Sequence, residues 1–62
     1  MINVIQVIKI NGKMDSDGND IFTPRCSLAH KLFESFGKSK VNIEQLRLLQ
    51  SNNKVNCSIY WS

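Results

Sequence analysis

Residues 55–61 alternate with a period of two. Val55, Cys57, Ile59 and Trp61 stand against Asn56, Ser58 and Tyr60, and an extended strand with one buried face is what sorts such a series onto opposite sides. The chain opens on a second strand signal. Residues 2–10 are dense in β-branched Ile and Val, the side chains that pack well on a pleated surface. One face there would carry Ile2, Val4, Gln6, Ile8 and Ile10, the other Asn3, Ile5, Val7 and Lys9. Both faces are partly apolar, as in a central strand or one that touches a partner. Two such segments, one near each end, exclude a purely helical domain.

Turns and helices fill the space between. Residues 11–20 carry Asn11-Gly12 and Asp17-Gly18, both turn-forming dipeptides because Asn, Asp and Gly tolerate positive φ. They predict a polar hairpin loop, with the tight turn at either dipeptide, leading into a short strand near Asp20 to Thr23. Thr23-Pro24 predicts a helix start, with Thr23 as cap and Pro24 at the first helical position; Ser27 is the rival cap. Leu28, Ala29, Leu32, Phe33 and Phe36 then share one helical arc, and Ser27, His30, Lys31, Glu34 and Ser35 the opposite one. Gly37 suits the position after the helix. Asn42 with Gln45 three residues on predicts a capped second helix that buries Ile43, Leu46 and Leu49, directs Leu48 outward and stops at Ser51-Asn52-Asn53. The expected fold is a single α+β domain over residues 1–62. Its order is ββααβ, a three-stranded, mainly antiparallel sheet with two helices on one face. Val55, Cys57, Ile59 and Trp61 line the inner face.

Composition narrows the functional classes. Sixty-two residues with 42% hydrophobic and 21% charged side chains fit one small globule, which buries roughly 60% of its unfolded surface. A deep enclosed cofactor site is not expected at that size, and no cofactor is assigned. No apolar run reaches the ~20 residues that cross a bilayer, and Ile2 to Ile10 lacks the pattern of a secretory leader. Two cysteines are too few for a disulfide framework. Cys26 and Cys57 are therefore expected as reduced thiols in a cytoplasmic protein.

Chemical motifs are sparse. Asp15, Asp17, Asn19 and Asp20 suggest a calcium loop, but counting from Asp15 puts Gly18 at position 4 and Cys26 at position 12, where the ion needs a glutamate. Cys26, His30 and Glu34 line a helix edge at four-residue steps, yet a zinc site needs a fourth ligand, and nothing forces Cys57 into that place. No metal is assigned. His30 with Glu34 as an acid–base pair lacks a converging cleft. Gly12, Gly18 and Gly37 are scattered and form no phosphate loop. No catalytic residue is assigned, and the expected class is not an enzyme.

Charge and exposed apolar groups carry the functional expectation. The net charge is +3, and the excess of cations falls in the second part of the chain. Lys31, Lys38, Lys40 and Arg47 surround the interhelical turn, a basic patch suited to phosphates or an acidic protein groove. The five-residue stretch Gly37 to Val41 is longer than the turn of a common helix-turn-helix. If the helices cover one sheet face, Ile5, Val7 and Tyr60 lie on the other, with Leu48 projecting from the second helix. Such apolar groups mark a docking surface for a protein partner, and an exposed strand edge offers a related route.

The expected function is a protein-binding module, an inhibitor or modulator that occludes a larger partner, with homodimerisation through the same face as a related outcome. The alternative is a small basic nucleic-acid-binding protein or transcriptional regulator. In size and composition alone the chain is similar to phage-encoded inhibitors of host nucleases, antitoxins and anti-defence proteins. Asn, Ile and Lys together supply 20 residues, as in products of AT-rich phage and mobile-element genes. That likeness implies a nuclease or nucleoprotein complex in the host cytoplasm as partner, and it assigns no residue a role.

Overall fold

The computed structural model describes residues 5–62. Ile2 and Val4 of the expected inner row, and Asn3 of the other, lie outside the described residues. The elements follow in the expected order: β1 (Val7–Met14), β2 (Asp20–Pro24), α1 (Ser27–Phe36), α2 (Ile43–Asn53) and β3 (Asn56–Trp61). The sheet is mixed, in the order β2-β1-β3. β1 pairs antiparallel with β2, from Ile10 opposite Pro24 to Met14 opposite Asp20. It pairs parallel with β3, from Val7 opposite Asn56 to Gly12 opposite Trp61. β1 is thus the central strand, as its two partly apolar faces indicate.

Several boundaries differ from the sequence expectation, two of them for a clear local reason. β1 runs through Asn11-Gly12 instead of turning there, and the turn is made at Asp15–Asn19. One carboxylate oxygen of Asp15 accepts from the N–H groups of Asp17 and Asn19, each at 2.9 Å, and Gly18 supplies φ +84°. This side-chain-closed turn outcompetes Asn11-Gly12. Gly12 serves a packing purpose: a methyl placed on it would meet Ile59 and Trp61 across the sheet, and glycine in a strand marks such close approaches.

The second difference is at Thr23-Pro24, which ends β2 instead of starting a helix. Phe22 exchanges hydrogen bonds with Val41 outside the sheet, at 2.8 and 2.9 Å. Pro24 shares the parity of Phe22, so its nitrogen also faces away from β1 and no ladder bond is lost. The helix begins after Cys26, the N-cap residue, which makes no side-chain capping bond. Gly37 ends α1 in the left-handed conformation with φ +82°. Asn42 and Gln45 close a reciprocal capping box at 2.8 and 3.0 Å. α2 continues through Ser51-Asn52-Asn53 and stops at Lys54, whose φ is +52°.

Both helices pack on one side of the sheet. Ile8, Ile10 and Phe22 from the sheet meet Ala29, Phe33, Leu46 and Leu49 from the helices, closed off by Val41 and Val55. Leu28, Leu32, Phe36, Cys57 and Ile59 are half-buried against that core. Two expected core residues lie outside it. Ile43 is exposed at the first turn of α2. Trp61 is 59% exposed because β3 is an edge strand and the ring sits at its end. The indole touches Phe22 edge-on, with ring centres 5.6 Å apart.

Candidate functional site

Strand parity separates the two faces of the sheet. The odd-numbered residues of β1 (Val7, Lys9, Asn11 and Lys13) point away from the helices, together with Ile21 and Thr23 of β2 and Asn56, Ser58 and Tyr60 of β3. Val7 is 59% exposed and Tyr60 41%. Ile5, two residues before β1, is also exposed. Val7 and Tyr60 therefore lie where the alternation placed them, and Ile5 precedes the strand. They do not form one apolar patch. Val7 pairs with Asn56 and Asn11 with Tyr60, so four residue steps, about 13 Å, separate the two ends, with Lys9 between them.

At the centre of this open face is a residue to which the sequence reading gave no role. Arg25 follows β2 directly, and its N–H donates to the Lys9 carbonyl at 2.9 Å. Its guanidinium donates to Oδ1 of Asn11 at 2.9 Å and stacks over the Tyr60 ring, 4.3 Å from the centroid. The side chain thus starts beside β2 and extends over β1, where its charge meets the Tyr60 ring of β3. The face carries Lys9, Lys13 and Arg25, and among the described residues its strand positions hold no carboxylate. Asp20 has the parity of Met14, toward the helical side.

Leu48 is 56% exposed but stands on α2, so the sheet lies between it and Tyr60. It belongs to a different surface. Lys31, Lys38, Lys40 and Arg47 are all exposed and do not converge on one recess. Lys38 lines a shallow cleft with His30 and Glu34, whereas Lys40 lines another between the Asp15–Asn19 turn and the start of α2.

The two thiols occupy contrasting environments. Sγ of Cys26 accepts from the Lys9 N–H at 3.4 Å. That amide, then the amides at the start of α1 and the Lys9 charge, holds the thiol below its usual value. Burial pushes the Cys57 thiol up. Among the described residues no group of three or more His, Cys, Asp or Glu side chains is placed to hold a metal ion, and no helix is long and apolar enough to cross a membrane.

The signal for Lys9, Lys13 and Arg25 was present in the sequence but masked. Extending the first strand past Asn11-Gly12 would have placed Lys13 in phase with Lys9 and Val7. Reading Thr23-Pro24 as extended would have freed Arg25 from the helix. Compared with protein-family models, curated proteins and solved structures, the chain matches none.

Proposed function

We propose that the chain is a non-enzymatic protein-binding module that docks on a larger partner through the open face of its sheet and acts by covering the partner's surface. In the form the sequence suggests, it is an inhibitor or modulator of phage or mobile-element type, working in the cytoplasm. One observation carries the reading: among the described residues, helices cover one side of the sheet, and the other side presents Arg25 stacked on Tyr60, flanked by Val7, Lys9 and Lys13. Arginine and tyrosine are enriched at the energetic centres of protein interfaces. Here the arginine is held in place by Asn11, which reduces the ordering cost of association. A cationic face whose strand positions, among the described residues, hold no carboxylate selects a partner with an acidic surface.

The test is affinity capture on immobilised chain with the variants Val7→Asp and Tyr60→Asp, and Asn52→Asp on exposed α2 as control. The reading expects one protein retained by the parent and the control and lost by both face variants. Unchanged capture by both face variants refutes it. The competing nucleic-acid reading is decided by a mobility-shift titration. Binding whose log affinity falls by about one per neutralised phosphate against log salt would assign the face to nucleic acid instead.

A further inference from the structure

The free edge of β3 has the composition of a strand that receives another strand. The Asn56 N–H donates to the Gln6 carbonyl at 2.9 Å, and the Ser62 N–H to the Gly12 carbonyl at 3.0 Å. In a parallel ladder alternate residues direct both backbone groups at the same neighbour. Asn56, Ser58, Tyr60 and Ser62 therefore bond to β1. Cys57, Ile59 and Trp61 turn their N–H and C=O groups to the other side, where, among the described residues, the order β2-β1-β3 places no strand. Sheet edges are ordinarily blunted by charges, proline or bulges. β3 reads NCSIYW and has no charge and no proline. The opposite edge is different: Phe22 of β2 is already paired with Val41, and Pro24 lacks a donor.

Charge decides what fits there. Lys9 stands behind Ser58 on the open face, and Arg25 holds its guanidinium over Tyr60. A strand laid about 4.8 Å outside β3 would place alternate side chains beside Ser58 and Tyr60, within reach of those two cations. Its other side chains would extend the row of Cys57, Ile59 and Trp61 on the helical side. A second copy of β3 would bring another Lys9 and Arg25 to the same face and no carboxylate to meet them. We propose that β3 is a strand-addition edge that accepts an extended segment of a partner protein in which acidic side chains alternate with apolar ones. This rests on the reading of the chain as a protein-binding module and states how the partner attaches.

The test uses a labelled eight-residue peptide alternating glutamate and valine, and its lysine–valine counterpart. Each is titrated against the full chain by fluorescence anisotropy. The chain is also made by total synthesis with an N-methyl group on Ile59, which removes an outward donor and leaves the ladder to β1 intact. The glutamate peptide should bind at least tenfold tighter than the lysine peptide, and should lose at least tenfold in affinity to the methylated chain and to Arg25→Gln. In the unmodified chain, saturation should slow amide exchange at Cys57, Ile59 and Trp61 at least tenfold, a readout that stands even if the methylated chain fails to fold. Binding without protection of those amides, or without loss on methylation of a folded chain, overturns strand addition while leaving the open-face reading in place. Equal binding of both peptides, binding of neither at millimolar concentration, or methylation that converts a dimer to a monomer also overturns it.

Discussion

Replacing Gly12 by alanine tests whether β1 runs straight through a dipeptide that reads as a turn. The added methyl would sit 2.9 Å from Cγ2 of Ile59, 2.9 Å from Cε3 and 3.0 Å from Cζ3 of Trp61. Carbon atoms prefer separations of about 3.5–4.0 Å, so at least one side chain of β3 must shift. Overpacking of this kind costs about 1–3 kcal/mol. Two considerations favour the lower half of that range. Trp61 is open to solvent on its far side and has room to lift, and alanine is better than glycine in a regular strand by roughly 0.5–1 kcal/mol. The expected net loss is about 1 kcal/mol, or about 4–8 °C in Tm for a domain of this size. Circular dichroism melts give the loss, and the emission of Trp61, the single tryptophan, reports displacement of the ring. In a Trp61→Ala background two of the three close contacts are gone, so Gly12→Ala should cost at most half as much. A neutral or stabilising Gly12→Ala, or a cost independent of Trp61, would refute this packing and return Gly12 to a turn.

The other predictions concern the thiols, the helix ends and the central arginine. Iodoacetamide near neutral pH should label Cys26 well before Cys57, as read by peptide mass mapping; the reverse order would contradict the two environments. Folding lowers the Cys26 value, so its contribution to stability is complete above the titration of the unfolded thiol and fades as pH falls through the folded value. Cys57, raised by burial, contributes below the unfolded titration and loses that contribution as pH rises through its folded value. Asn42→Ala should cost about 1 kcal/mol in urea unfolding by removing the capping box of α2. Lys54→Gly should gain up to about 1 kcal/mol, because Lys54 holds φ +52° where glycine carries no side-chain penalty. Arg25→Gln should cost less than about 1 kcal/mol in the same assay, the range of an exposed cation–π contact, so that any larger effect on partner binding is attributable to the interface.

The elements that could be read from sequence were those governed by local periodicity. The alternation at 55–61, the arc of Leu28, Ala29, Leu32, Phe33 and Phe36, and the Asn42–Gln45 box all depend on neighbours within one or two turns. The fold keeps the box and the strand parity, buries Ala29 and Phe33 with the rest of the arc half-buried, and leaves Trp61 exposed at the end of β3. What could not be read depended on partners distant in the chain. Asn11-Gly12 and Thr23-Pro24 are turn and cap signals in isolation, but pairing with β3 and with Val41 holds both extended. Strand direction was hidden for the same reason, since a period of two is identical in parallel and antiparallel ladders. Of the candidate surface, the face of Val7 and Tyr60 followed from alternation alone, while Ile5 is exposed just before β1. Leu48 is exposed, as its helical phase implies, but is divided from them by the sheet. Arg25 emerged only once β2 and β3 were seen on either side of β1, because its two contacts lie 14 and 35 positions away in the chain.

Docking at β3 requires that its outer edge be bare in the free protein. Amide exchange measured residue by residue by NMR on the isolated chain tests this most directly. Alternation along β3 is predicted, with slow exchange at Ser58 and Tyr60 and fast exchange at Cys57, Ile59 and Trp61. Uniformly slow exchange from Cys57 to Trp61 would mean that the edge is already occupied, and would contradict the account.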